Sequence, residues 1–503
     1  MELTILSTTD IHGYLTTQSF IDSTKREPYG YSRTQGLIEK IKAESKGPVL
    51  YIDNGDYLQG SPLTNYAARI AKDPSLLFSG LKQHAPDLAV IGNHDFNYGL
   101  AYLDKAIELA SFPILCANIL KDGKIRFGKP YHILSIENLR IGVLGLSNYK
   151  IPSWEQAQTI KGLEFISALE SCKSYVPLLK DKENCDFIIV SYHGGYERDF
   201  KTGQATEILD LENEASAILA SGLPIDVLLT GHQHRMEAEI INGIATLQAG
   251  SRGAALGKVV LNLEKNKREI KELVVVDTSQ LEESQEYLAA TQEFCQKTQT
   301  WLDQVIAYAD EKYAIKDPYL AQIMGHPYFH LINQIQMAAM GTEISANSLN
   351  SPDSPGFCGN VRLRDVLINY PHPNTLVNMG VTGILLKEIL EKNLEYLIQD
   401  DHGKIQINPN YLQPKSKYYA YDIYSGIDIV YDLKKPFGQR IKELKHKGLD
   451  IKDSSEIYTV TINNYRSAGG DFPQFKQAQI LKEDQRDMQD LIINYLEKKK
   501  ILE

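Results

Sequence analysis

The sequence predicts an α/β layered domain followed by a smaller α+β domain. Three observations lead there: short apolar runs alternating with helix-like stretches, one long segment without Gly or Pro, and a change of composition beyond it. The runs are LTILST (3–8), VLYID (49–53), LAVIG (88–92), IGVLGLS (141–147), DFIIVSY (186–192), DVLLTG (226–231), IATLQAG (244–250) and GKVVLNLE (257–264). Each is rich in β-branched residues and too short for a helix, which predicts strands covered on both faces. TQGLIEKIKAE (34–44) and EILDLENEASAILAS (207–221) space their apolar residues at three and four, predicting helices between strands. Ser279 to Lys312 keeps that spacing throughout and predicts one long helix. Beyond it Pro and Asn become frequent (SLNSPDSPG, 348–356; NYPHPNT, 369–375) and tyrosines cluster (KYYAYDIYSGIDIVYD, 417–432). We therefore divide the chain into 1–275, a connector helix within 276–317, and 318–503.

Bulk properties narrow the function classes. At 503 residues the chain is long enough for two cores, and its 43% apolar and 23% charged content is that of a folded globular protein. Its 53 basic and 64 acidic residues give a formal charge of -11, which repels a polynucleotide backbone or an anionic bilayer and argues against a long nucleic acid as partner. A small anion remains compatible, because a local metal outweighs the global field. The five cysteines lack CxxC spacing, so neither a disulfide framework nor a thiolate zinc site is expected. MELTILSTTD carries no basic-then-apolar leader and no apolar run reaches ~18 residues, so no transmembrane segment is expected. The chain as written reads as cytoplasmic, or as exported if a signal has been removed from it.

The chemistry concentrates just past the strands. Asp10-Ile11-His12-Gly13 follows the first run, Asp53-Asn54-Gly55-Asp56 the second, and IGNHDFNYG (91–99) the third; Tyr192-His193-Gly194-Gly195 and Gly231-His232-Gln233-His234 follow later ones. Each fragment alone is ordinary turn chemistry. Five carboxylate or imidazole clusters, all with glycine and all at strand ends, converge on one edge of a layered sheet, where open α/β folds bind ligands. Oxygen and imidazole donors without thiolate suit Mn²⁺, Zn²⁺, Fe²⁺ or Co²⁺, and a bridging carboxylate holds two such ions roughly 3.5–4 Å apart in two-metal hydrolysis.

TTDIHG, DNGDYLQG, GNHDFN, SYHGG and GHQHR together resemble, in order and spacing, the five motifs of the calcineurin-like metallophosphoesterases, and specifically of the 5'-nucleotidase family. That resemblance implies a four-layer αββα catalytic domain holding two divalent metal ions. It implies Asp10, His12, Asp56 and His234 as ligands of one ion, and Asp56, Asn93, His193 and His232 as ligands of the other. His94, Asp95 and Asn97 are the candidate catalytic residues, with His94 assisting the leaving oxygen and Asp95 mainly orienting. Relatives with 5'-nucleotidase activity have aspartate at position 97. Asn97-Tyr98-Gly99 is instead similar to the 2',3'-cyclic-nucleotide 2'-phosphodiesterase/3'-nucleotidase branch. An asparagine supplies no negative charge to a protonated imidazole, so His94 is expected to work with a different pKa.

The resemblance extends into the second domain through NYPHPNTLV (369–377), YSGIDIVYDLKKPFGQRI (424–441) and NNYRSAGGDFP (463–473). It implies a nucleotide-binding domain in which His372 and Tyr465 flank a base and Asn374 lies close by. No Gly-Gly-x-Arg phosphate segment precedes Gly359, and Arg364-Asp365 reads as structural. The expected function is opening of a 2',3'-cyclic nucleotide to a 3'-nucleotide, followed by removal of the 3'-phosphate, with a small nucleotide as the partner molecule. The alternatives are a 5'-nucleotidase or UDP-sugar hydrolase and, in another class, a non-catalytic nucleotide-binding receptor.

Overall fold

The computed structural model describes residues 1–503 except 82–83, 156, 207–208, 266, 373 and 414–415. Each of the eight apolar runs carries a strand, and these fall in two six-stranded sheets of a first unit, Met1–Gln299. The first sheet runs Lys267–Asp277, Ala255–Glu264, Glu2–Thr8, Val49–Asp53, Leu88–Val90, Ile114–Leu115, with the last four strands parallel. The second runs Met236–Ile241, Ile244–Ala249, Val227–Thr230, Phe187–Tyr192, Leu139–Leu146, Tyr131–Ile136, with four parallel strands between antiparallel edges.

The period of two along each strand sends alternate side chains to opposite faces. Leu3, Ile5 and Ile52 of the first sheet therefore meet Val143, Ile189 and Leu229 of the second in one core between the sheets. Each such fully buried aliphatic side chain contributes about 1.5–3 kcal/mol. The outer faces are covered by helices. Ile38 of the helix Tyr31–Glu44 packs on Leu6 and Tyr51, and Cys172 and Val176 of Ala168–Pro177 pack on Ile188 and Val190. Helix, sheet, sheet, helix is the four-layer arrangement expected.

The four edge strands, Ile114–Leu115, Tyr131–Ile136, Met236–Ile241 and Lys267–Asp277, lie outside the apolar runs: the first has only two residues, and the side chains of the other three are mostly half-buried or exposed. The expected helix over 207–221 shrinks to Ala215–Ala220; residues 207–208 lie outside the described residues, and 209–214 form a loop. Its polar residues are held elsewhere, Glu212 by His232 and Asn213 by the Gly195 N–H. The expected helix over 279–312 is confined to Gln285–Leu302. After it VIAYA, with β-branched and aromatic residues, forms the strand Val305–Ala309 paired with Gly359–Arg362.

The second unit, Thr300–Glu503, is built on a five-stranded sheet: Asp422–Ser425, Ile344–Ser348, Ile457–Asn463, Thr375–Thr382, Gln479–Asp487. Helices Pro327–Met340 and Met488–Lys499 share one core with Leu376 and Ile423, while Gly383–Asn393 packs on Val377, Met379 and Val460 in another. This is the α+β domain expected. Among the described residues no helix is long and apolar enough to cross a membrane.

Candidate metal centre

The clusters sit where parallel strands end, and their backbone is bent sharply there. Asp10, His12, Asp56, His232 and His234 all adopt positive φ, between 50° and 70°, a left-handed conformation that costs a non-glycine residue about 1–2 kcal/mol. Five such residues in one cluster are held by contacts between the loops. Asp10 N–H donates to Gly55 O, His12 N–H to Asp56 O, Arg252 N–H to Asp10 O, and His232 N–H to Asp10 Oδ2. Gly92 permits the closest approach, since a Cβ there would lie 2.1 Å from Asp56 Oδ1.

Two groups of candidate ligands result, Asp10 with His12 and His234, and Asp10 with Asp56 and His193. Asp56 Oδ2 lies 3.2 Å from His193 Nε2 and 3.9 Å from His12 Nε2, so one carboxylate oxygen faces both groups. Asp10 Oδ1 lies 3.3 Å from His234 Nε2 and 4.0 Å from His193 Nε2. Asn93 Oδ1 completes the second group, 2.8 Å from His232 Nδ1 and 3.2 Å from His193 Nε2. All seven expected ligands are thus brought together.

The ring tautomers test whether this set fits cations. His12 Nδ1 is 2.7 Å from Gln59 O and His193 Nδ1 is 2.6 Å from Asn54 O. Each Nδ1–H donates to its carbonyl, which turns the Nε2 lone pair inward. His232 is reversed: its Nε2 lies 3.0 Å from Glu212 Oε1, so Nε2–H donates outward and Nδ1 faces in. Three lone pairs therefore point at carboxylate and amide oxygens, and the buried Asp10 Oδ1 and Asp56 Oδ2 accept no hydrogen bond. Acceptors facing acceptors in a buried cluster call for positive charge, and the donors fit divalent metal ions.

Electrostatics agree. Burial raises the Asp10 and Asp56 carboxyls, but the facing imidazoles outweigh it and hold both well below the usual range. Burial takes His12 down to about 3. It also lowers His193, but Asp56 and Asp10 overcome it and raise that ring to about 10. A cation neutralises the same two carboxylates and takes the proton's place.

His94 lies at the rim of this cluster. Its backbone N–H donates to Asp56 Oδ1 at 2.7 Å, and its ring stands 5.3 Å from that of His12. Asp95 turns inward and accepts from the N–H groups of Gly92, Asp56, Tyr57 and Leu58 at 2.8–3.2 Å, tying the second loop to the third. Its contribution is to place Asp56. Asn97 Oδ1 is 2.8 Å from His94 Nδ1, and Asn97 Nδ2 donates to Glu155 Oε1. A carboxylate therefore does stand behind the histidine, one residue removed. Burial pushes Glu155 up to about 7, against the pull of the Asn97 N–H.

Glu155, Trp154 and Glu212 were missed in the sequence. Trp154 stacks on His232 with ring centroids 5.3 Å apart and an interplanar angle of 29°. None of the three follows a strand, and Glu212 stood in a stretch read as helix. In the second unit the register Leu376↔Asn463 brings the loop before one strand beside the turn after its neighbour, and Asn464 Oδ1 accepts from Thr375 N–H. His372, Asn374 and Tyr465 thus gather at one end of that sheet. Tyr465 OH donates to Asp471 Oδ2 at 3.1 Å, and Gly470 lies against its ring. Arg362 and Arg364 instead pair with Asp303, at 3.0 and 2.7 Å.

Comparison with known proteins agrees with this architecture. Residues 3–236 match the family described as calcineurin-like phosphoesterase, and residues 305–477 match the 5'-nucleotidase C-terminal domain. A 2',3'-cyclic-nucleotide 2'-phosphodiesterase/3'-nucleotidase of Haemophilus influenzae is 27% identical, covering 99% of this chain and 84% of that protein. The protein of the same name from Salmonella typhimurium is 28% identical, covering 94% of this chain and 82% of its own. Among solved structures, a Staphylococcus aureus protein provisionally named a 5'-nucleotidase superposes with a TM-score of 0.91 at 31% identity, over 99% of this chain and 96% of that one.

Proposed function

Because the chain belongs to the 5'-nucleotidase family of calcineurin-like metallophosphoesterases, we propose that this metal-dependent phosphoesterase opens 2',3'-cyclic nucleotides to 3'-nucleotides and then releases the 3'-phosphate. The observation that carries a dinuclear hydrolytic reading is Asp56, whose Oδ2 faces His12 on one side and His193 on the other. The nucleotide reading is supported by the names of the nearly full-length relatives and by Asn97-Tyr98-Gly99.

Asp10, His12, Asp56 and His234 would hold one divalent ion, and Asp56, Asn93, His193 and His232 the other. When bound, such ions supply Lewis acidity toward a phosphoryl group and make a nucleophile available near neutral pH. Manganese, zinc, iron(II) or cobalt suits these donors. The chain's own residues supply orientation and a proton. In the first reaction a water oxygen attacks phosphorus and releases a proton to solvent, the P–O2' bond breaks, and protonated His94 gives its Nε2 proton to the departing 2'-oxygen. After His94 regains a proton from solvent, a further water attacks and again releases a proton, the P–O3' bond breaks, and His94 protonates the departing 3'-oxygen. His94 is docked for this by its N–H on Asp56. His372, Tyr465 and Asn374 would hold the base, by stacking and by amide hydrogen bonding.

A second reading, 5'-nucleotidase, is favoured by the close structural likeness to the Staphylococcus aureus protein. Side-by-side kcat/KM values of the manganese-loaded protein on 2',3'-cyclic AMP, 3'-AMP and 5'-AMP separate the two. We expect the first two to be preferred, and a preference for 5'-AMP would reverse the assignment.

A further inference from the structure

The contact behind His94 is a chain of three side chains, with ring Nδ1 on Asn97 Oδ1 at 2.8 Å and Asn97 Nδ2 on Glu155 Oε1. Above about pH 7, where Glu155 is ionised despite its burial, its carboxylate only accepts, so it fixes which end of the Asn97 amide faces it: the NH₂ group. The amide oxygen must then face His94, and an oxygen requires a proton on Nδ1. That leaves Nε2 as the nitrogen that exchanges the catalytic proton. Without an acceptor-only partner, an asparagine presents either end to the ring and leaves the tautomer undetermined.

We propose that Glu155 is a positioning residue for His94: its carboxylate locks the Asn97 amide and supplies, through that amide, the negative charge that a carboxylate at position 97 would supply directly. The inference rests on the catalytic role of His94 given above. It also explains how an uncharged residue serves at position 97. The carboxylate has moved out by one side chain, onto the loop whose Trp154 covers His232.

The test is a reversal of the hydrogen-bond polarity in the full-length zinc-loaded protein. In Glu155→Gln the new amide still accepts from Asn97, so a residue that merely held the loop would tolerate the change. A positioning carboxylate would not, and we expect kcat on 2',3'-cyclic AMP to fall about 10–100-fold, the usual range for a lost orienting partner. KM and bound zinc should stay unchanged. In the double variant Asn97→Asp with Glu155→Gln, the carboxylate at 97 accepts from His94 while the amide at 155 donates to it, and kcat should return to within a few-fold of the parent. The ¹⁵N shifts of His94 should report the Nδ1–H tautomer in the parent and the double variant, and a mixture in Glu155→Gln. Unchanged kcat in Glu155→Gln overturns the inference, as does a double variant no faster than the single one. His94→Ala is assayed beside them. If it retains full turnover, the role of the histidine itself fails; if it collapses while the Glu155 variants do not, only Glu155 is misassigned.

Discussion

His94 and Asp56 touch each other through one hydrogen bond, yet they should fail in different ways. His94→Ala keeps the Asp56 carboxylate and every candidate ligand, so metal content should be retained while turnover falls about 10²–10⁴-fold, the range for a lost general acid. Asp56→Ala removes the oxygen facing both ligand groups, and both metals should be lost with the activity; elemental analysis beside kcat separates the two variants. Asp53 stands three residues before Asp56. Burial raises its carboxyl to about 7, although Thr8 and Gly55 donate to it. A carboxyl raised above its unfolded value holds its proton in the folded state where the unfolded chain releases it, so its contribution to stability falls as pH rises from about 4 to about 7. The Tm of EDTA-treated Asp53→Asn should therefore gain on that of the parent between pH 5 and pH 8; a constant difference would remove Asp53 from the linkage. The candidate ligands were picked out because each lies just past an apolar run. Glu155 and Glu212 were not, because they reach the site through tertiary loops and no local pattern announces which carboxylate a folded loop will turn toward a histidine.

At the scale of elements, the strands set where the loops start, and glycines set how closely those loops approach. A Cβ at Gly231 would stand 2.2 Å from Thr9 Oγ1 and 3.0 Å from Asp10 Oδ2. Gly231→Ala must therefore push the fifth cluster away from the first, where His232 N–H holds Asp10 Oδ2 at 3.0 Å. We expect metal affinity to weaken at least about tenfold by calorimetric titration, as when an outer partner of a ligand is removed, with the sheets intact by circular dichroism. Unchanged affinity would mean that the two loops are not braced against each other. Central strands were readable because burial on both faces leaves a continuous apolar run, as in Phe187–Tyr192 and Ile244–Ala249, every residue of which is buried. Edge strands such as Met236–Ile241 lack that signature. The helix Gln285–Leu302 was readable in kind but not in length, because the strand Val305–Ala309 that follows it gains its stability from pairing with Gly359–Arg362, a partner distant in sequence.

For the molecule as a whole, the two units divide the chemistry. Every candidate metal ligand lies within Met1–Gln299, and the three candidate base-binding residues lie within Thr300–Glu503. The net charge of -11 gives a nucleotide no general attraction, so recognition must come from specific contacts. Base stacking on an aromatic ring contributes about 1–3 kcal/mol. Tyr465 is well placed to offer such a ring, oriented by its hydroxyl on Asp471 and by Gly470 against its face. Tyr465→Ala should therefore raise KM for 2',3'-cyclic AMP about tenfold or more, the equivalent of at least about 1.4 kcal/mol. Bound metal should not change, nor should kcat/KM for bis(4-nitrophenyl) phosphate, a diester with no base to stack. A parallel loss on both substrates would show that the tyrosine supports the second unit's fold rather than the base. Loss on neither would assign base recognition to other residues and leave the metal-centre chemistry as it stands, since none of its candidate ligands depends on that ring.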